Sequence, residues 1–137
     1  GTRTNVVPDT ASVEVDVRMP NPEIGEEIVG RIRGLKPHLQ DVTLTIEGGI
    51  NRPGYEKTPE IAALYEHAKG LAAEIGFDLI DLKTGGGSDG NYTASIAPTL
   101  DGLGVDGDGG HTLEERLYIS SVLPRTRLLM RLMETLQ

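Results

Sequence analysis

The residues able to do chemistry are few. Cysteine is absent from all 137 positions, which removes disulfides, thiolate zinc sites, iron–sulfur ligation and cysteine nucleophiles together. The histidines are His38, His67 and His111. His38 follows Pro37 at an expected helix end and His67 flanks an apolar stripe, so both read as solvent-facing surface residues. His111 differs: it follows a glycine-rich loop at 106–110 and has Thr112, Glu114 and Glu115 beside it. An imidazole nitrogen suits Zn²⁺, and a neighbouring carboxylate can orient the ring. No second histidine stands at helical or short-loop spacing, so His111 offers one ligand rather than a site.

Glycine provides the other conspicuous pattern. Gly85-x-Gly87-x-x-Gly90 fits the dinucleotide fingerprint by letter, but the loop carries Asp89, which would meet a pyrophosphate, and Pro98 ends the following helix too soon for a nucleotide-binding crossover. No Lys follows the glycines, so a P-loop is excluded. A tight turn that brings backbone N–H groups up to some ligand fits better than either. The run Asp106-Gly107-Asp108-Gly109-Gly110 suggests a calcium loop, yet the twelfth position is Leu117 instead of a bidentate Glu. Arg18, on the polar face of an expected strand, and Arg52, before Pro53, each read as solvated when taken singly. Asn91-Tyr92-Thr93 matches a glycosylation sequon, which is set aside because no secretory signal is visible.

These residues need elements to hold them. Residues 11–19 alternate apolar and polar with period two, predicting a strand with one buried face. Asn21-Pro22-Glu23 predicts a helix start, with Ile24, Ile28, Val29, Ile32 and Leu35 at helical spacing after it. A second alternating strand is expected at 42–46. Thr58-Pro59-Glu60 opens another helix, with Gly76 as its C-cap. Residues 77–82 read as a strand covered on both faces, 90–97 as a short helix, 98–103 as a short strand, and Ser121 as the start of a closing helix. The fold class expected is α/β: an α+β half, then an α/β half, with a boundary between residues 48 and 58.

Composition narrows the function classes. Thirteen basic against twenty-one acidic side chains give a net charge of −8, which argues against nucleic acid or an anionic membrane as partner. No apolar run approaches the roughly 18 residues of a spanning helix. The chain is therefore expected to be soluble, with the cytoplasm favoured and the compartment otherwise open. It starts at Gly1 without an initiator Met, which reads as a tag scar or an excised segment.

Taken in order, the pieces resemble the zinc aminoacylase and glutamate carboxypeptidase family of metallopeptidases. The resemblance rests on Asn5-Val6-Val7-Pro8-Asp9-x-Ala11 with Asp16-x-Arg18, then Thr84-Gly85-Gly86-Gly87-Ser88-Asp89. It continues through Pro98-Thr99-Leu100-Asp101-Gly102-Leu103-Gly104, His111-Thr112-x-Glu114-Glu115 and a Leu-rich closing helix. The triple glycine and the 99–104 stretch are most similar to the glutamate carboxypeptidase branch. The resemblance implies that residues 1–56 are the later half of a dimerisation (lid) domain and 57–137 the C-terminal part of a two-zinc catalytic domain. It implies His111 as the last zinc ligand, Asn5, Arg18 and Arg52 as contacts to the substrate carboxylate, and Gly85, Gly86 and Gly87 as backbone donors. A planar guanidinium suits bidentate carboxylate recognition.

The family's upstream His-x-Asp motif, bridging Asp, Glu-Glu pair and lid histidine have no counterpart here. The expectation is therefore a C-terminal fragment, inactive and without bound zinc on its own. It would come from an enzyme that holds two zinc ions, hydrolyses an N-acyl amino acid or peptide beside a free carboxylate, and forms a homodimer through the lid. The alternative is a stand-alone α/β module for small-ligand binding or dimerisation, without metal; a nucleotide-binding domain using the 85–90 loop is a third, weaker reading.

Overall fold

A computed structural model describes residues 2–136. Its elements are α1 (Pro22–Arg33), α2 (Pro59–Ile75), α3 (Gly90–Thr93), β1 (Gly107–Asp108), β2 (Arg116–Leu117) and α4 (Ile119–Thr135). The chain is a mixed helix and sheet structure, in keeping with the α/β class.

The longer helices begin where local chemistry dictates. Asn21 Oδ1 accepts the N–H of Ile24 at 3.0 Å, and Pro22 stands where a missing N–H costs nothing. Thr58 Oγ1 caps α2 by accepting from Ile61 N at 3.3 Å. Gly76 ends α2 in the left-handed region at φ 103°, with its N–H returning to Ala72 O at 3.0 Å; a side chain there would be strained. Helix α1 stops at Arg33, leaving Leu35 outside it and exposed.

The core lies where α2 crosses α4. Ala68, Leu71, Ala72, Leu79, Leu128 and Leu132 form one buried cluster, flanked by Tyr65, Ile75, Phe77, Leu100 and Leu103. The small residues Ala68 and Ala72 let α4 approach, and Leu128 is fully buried in the same cluster. Tyr65 donates its hydroxyl hydrogen to Leu79 O at 2.8 Å, tying 77–82 to α2.

The strand expectations need correction. Among the described residues the sheet is a two-stranded antiparallel pair, with Gly107 opposite Leu117 and Asp108 opposite Arg116. Residues 11–19, 42–46, 77–82 and 98–103 stand in no ladder. The physical reason is that period-two alternation says which face would be buried, whereas a strand also needs a neighbour for its N–H and C=O groups. Val13 and Val15 are 85% and 63% exposed, so the first part of that face is uncovered, while Val17 and Met19 farther along are half-buried. In 77–82 only Leu79 is buried while Ile80 and Leu82 face solvent, so the segment is covered on one face rather than both.

Two helix boundaries also move. Helix α3 ends at Thr93, and 94–97 are turns closed by Ala94 N to Gly90 O and Ala97 N to Thr93 O, both 2.9 Å, before Pro98. Helix α4 begins at Ile119, not Ser121. The Ser121 hydroxyl instead accepts from Asp106 N at 2.9 Å and donates to Tyr118 O at 2.7 Å, fastening the β1–β2 hairpin to the helix start.

Candidate functional site

The loop at 84–90, between the core segment and α3, is where the candidate residues Arg18 and Arg52 meet. Thr84 Oγ1 accepts the N–H of Gly86 at 3.3 Å, and Asn91 Oδ1 accepts that of Ser88 at 2.8 Å, so side chains at both ends fix the turn. Arg18 reaches it from one side: its Nη1 donates to Gly85 O, while its Nη2 stands 3.3 Å from Asp16 Oδ2. Arg52 reaches it from another. Its Nη2 is 3.6 Å from Asp89 Oδ1, and its guanidinium lies over the Tyr92 ring at 5.6 Å. A methyl on Gly87 would come within 3.3 Å of Arg52 Cδ, so glycine permits that approach.

The segments carrying the two arginines are locked together at Gly54. A methyl there would drive into Met19 O and come within 2.8 Å of the Pro20 carbonyl carbon and 2.9 Å of Asn21 N. Asn91 Nδ2 donates to Pro53 O at 2.8 Å, and the Tyr92 hydroxyl donates to Asn51 Oδ1 at 3.2 Å. The 98–104 stretch closes the neighbourhood, since a methyl on Gly90 would stand 3.2 Å from Asp101 Cβ. Burial first, and the Asp101 carboxylate second, push the Tyr55 phenol above its usual range.

Both acidic neighbours of the arginines are largely in water: Asp16 is 78% exposed and Asp89 95%. Exposed pairs of this kind contribute little, so an incoming carboxylate can displace them and take charge-assisted bonds from the same guanidinium forks.

His111 and Asn5 stand differently. His111 sits in the turn of the β1–β2 hairpin at φ 64°, a left-handed conformation histidine adopts more readily than most residues. Its main-chain N–H donates to Glu115 Oε2 at 3.1 Å, so that carboxylate serves the turn. Asn5 lies exposed in an N-terminal turn. Among the described residues no hydrogen bond or ion pair joins either residue to the 84–90 loop, and no group of three His, Asp or Glu side chains could hold a metal ion. A tetrahedral zinc site takes three or four protein ligands. The donor set around His111 therefore does not fit a complete metal centre.

Asn91 and Tyr92 are site-building residues that sequence reasoning missed. The sequon drew attention to Asn91, but no local pattern shows its amide reaching Pro53. His67 makes a different contact, Nε2 to Thr135 Oγ1 at 2.7 Å, which joins α2 to α4.

Known proteins place this geometry in context. The chain is 29% identical over 136 residues to the succinyl-diaminopimelate desuccinylase of Burkholderia multivorans and equally to that of Paracidovorax citrulli, covering 97% of this chain each time. It is 28% identical over 122 residues to the enzyme of the same name from Cupriavidus taiwanensis, covering 88% of the chain. The matched region is 35%, 34% and 31% of those proteins, so the chain spans about a third of their length. No solved structure matches it. The model of peptidase family M20/M25/M40 matches residues 6–135, and the chain belongs to that family.

Proposed function

We propose that this chain is the C-terminal part of a zinc-dependent amidohydrolase or carboxypeptidase that cleaves an amide beside a free carboxylate. The observation that carries the reading is the meeting of Arg18 and Arg52 on one glycine loop, in a family of hydrolases. Peptidases of this family are generally zinc-dependent. Residues 1–56 then belong to a lid domain and 57–137 to the catalytic domain. His111 supplies a single ligand, and the two zinc ions depend on residues outside this chain. Backbone N–H groups of Gly85, Gly86 and Gly87 are the donors to substrate in this reading, that of Gly86 exchanging its bond to Thr84 Oγ1 for one to the ligand, with Asn5 as a further carboxylate contact. The whole protein acts as a homodimer through the lid, in the cytoplasm.

The substrate class is an N-acyl amino acid or peptide. Both an N-acylglutamate, as the glutamate carboxypeptidase resemblance suggests, and succinyl-diaminopimelate, from the relatives' name, belong to that class. The test is turnover of both by the zinc-loaded full-length protein, beside analogues whose α-carboxylate is a carboxamide. The free acids should be preferred by at least about tenfold, one charge-assisted bond's worth, and a chelator should abolish turnover. Equal turnover of acid and carboxamide would overturn the reading.

A further inference from the structure

Helix α3 is only four residues long, yet two of its side chains reach back to the segment around Arg52. Asn91 is half-buried and uses both ends of its amide. Oδ1 accepts from Ser88 N at 2.8 Å, an ordinary local turn contact, but Nδ2 donates to Pro53 O at 2.8 Å, across 38 positions of sequence. The local turn contact occupies the oxygen, so the Nδ2 bond to Pro53 is a separate, long-range tie. Tyr92 adds two restraints: its hydroxyl holds Asn51 Oδ1 at 3.2 Å, and its ring lies under the Arg52 guanidinium. Asn51, Arg52 and Pro53 are thus each tied to the same helical turn, immediately after the glycine loop.

We infer that α3 is a clasp that sets the Arg52 guanidinium against the glycine loop, with Asn91 and Tyr92 as positioning residues for recognition of the substrate carboxylate. This rests on the carboxylate-binding reading proposed above. An unrestrained arginine samples many rotamers, and ordering it on binding weakens affinity. A guanidinium already stacked on an aromatic face and anchored at its backbone loses less when the ligand arrives. Asp89 completes the arrangement, its carboxylate 3.6 Å from Arg52 Nη2 until the ligand displaces it. The clasp therefore acts on binding of a carboxylate and not on bond breaking.

The substitution Asn91→Asp separates the two ends of the amide, keeping the acceptor for Ser88 N–H while placing a carboxylate oxygen against Pro53 O. Tyr92→Phe removes only the hydroxyl, and Tyr92→Leu the aromatic face as well. Each is made in the zinc-loaded full-length protein and assayed with an N-acylglutamate and its α-carboxamide, with Arg52→Ala as reference. Asn91→Asp and Tyr92→Leu should raise KM for the acid about tenfold, equivalent to roughly 1.4 kcal/mol. They should leave kcat within about twofold and the carboxamide's KM little changed; Tyr92→Phe should do less. Side-chain ¹⁵N relaxation supplies a readout independent of substrate: the Arg52 guanidinium should become more mobile in Asn91→Asp and Tyr92→Leu while the backbone of α2 is unchanged. Unaltered mobility of the Arg52 guanidinium overturns the clasp. So does an Arg52→Ala loss confined to the acid with no such loss in Asn91→Asp or Tyr92→Leu, and the carboxylate reading then stands. Equal losses on both substrates in Arg52→Ala overturn the carboxylate reading instead, and the relaxation measurement alone decides the clasp.

Discussion

Arg18 makes one bond to Gly85 O and one to the exposed Asp16, and neither holds it in a core. Arg18→Ala in the full-length protein should therefore leave stability within about 0.5 kcal/mol, as exposed substitutions usually do. If Arg18 clamps the substrate carboxylate, the same change removes one charge-assisted pair of about 1.5–3 kcal/mol, a loss of roughly tenfold to a hundredfold in kcat/KM. Arg18→Lys should restore only part, because an ammonium keeps the charge and loses the fork. Comparing the acid with its carboxamide decides the matter: equal losses on both would make Arg18 structural and leave the clamp to Arg52. Sequence offered both arginines through resemblance alone, since each looks solvated by itself. That they meet at one loop depends on Gly54 lying flat on the backbone of 19–21, a packing fact with no local signature. Asn91 shows the same limit, because its reach to Pro53 is a property of the fold.

Helices were legible because their signals are local, a cap or a positive-φ glycine within a few residues of the element concerned. Glu60, in the first turn of α2, carries one such signal into a pH dependence. A hydrogen bond from the Thr58 side chain, then its own backbone N–H, hold its carboxyl below the ordinary 4.5. A folded pKa lowered in this way contributes stability that is fully present above 4.5 and is lost as pH falls through the folded value. Glu60→Gln should therefore reduce the drop in thermal midpoint of the full-length protein between pH 7 and pH 3; an identical drop would show that the carboxyl is unlinked to folding. Packing of the same helix gives a larger effect. Leu128 is fully buried between α2 and α4, so Leu128→Ala should cost about 2–5 kcal/mol in urea unfolding. Met133→Ala, at an exposed position of α4, should cost no more than about 0.5 kcal/mol. Strands were misread for the opposite reason: residues 11–19 and 42–46 alternate cleanly, but a ladder is a property of two segments, and the pattern cannot supply the second.

Across the whole molecule the accessible surface is 11297 Å². A compact monomer of 14.7 kDa exposes about 6,900 Å² by the usual scaling, so this chain leaves far more surface in water than its mass requires. Much of the excess is apolar: Val7, Val13, Leu82, Ile96 and Met133 are all three-quarters exposed or more. Such surface is covered in stable proteins, either by further chain or by another copy, and segments without ladder partners invite pairing. The isolated 137-residue chain should therefore bind a hydrophobic dye strongly and associate as its concentration rises, through 11–19 or another extended segment without a ladder partner, such as 77–82. Val15→Lys, which places a charge on the apolar face of the first of these, should weaken association if that segment is the route. In the longer protein proposed above the dye response should largely disappear, and sedimentation should report the proposed homodimer. The deciding measurement is small-angle scattering with sedimentation velocity on the isolated chain. A dye-silent monomer with a radius of gyration of about 14 Å, the value for a compact domain of this length, would show that these faces find cover within the chain itself.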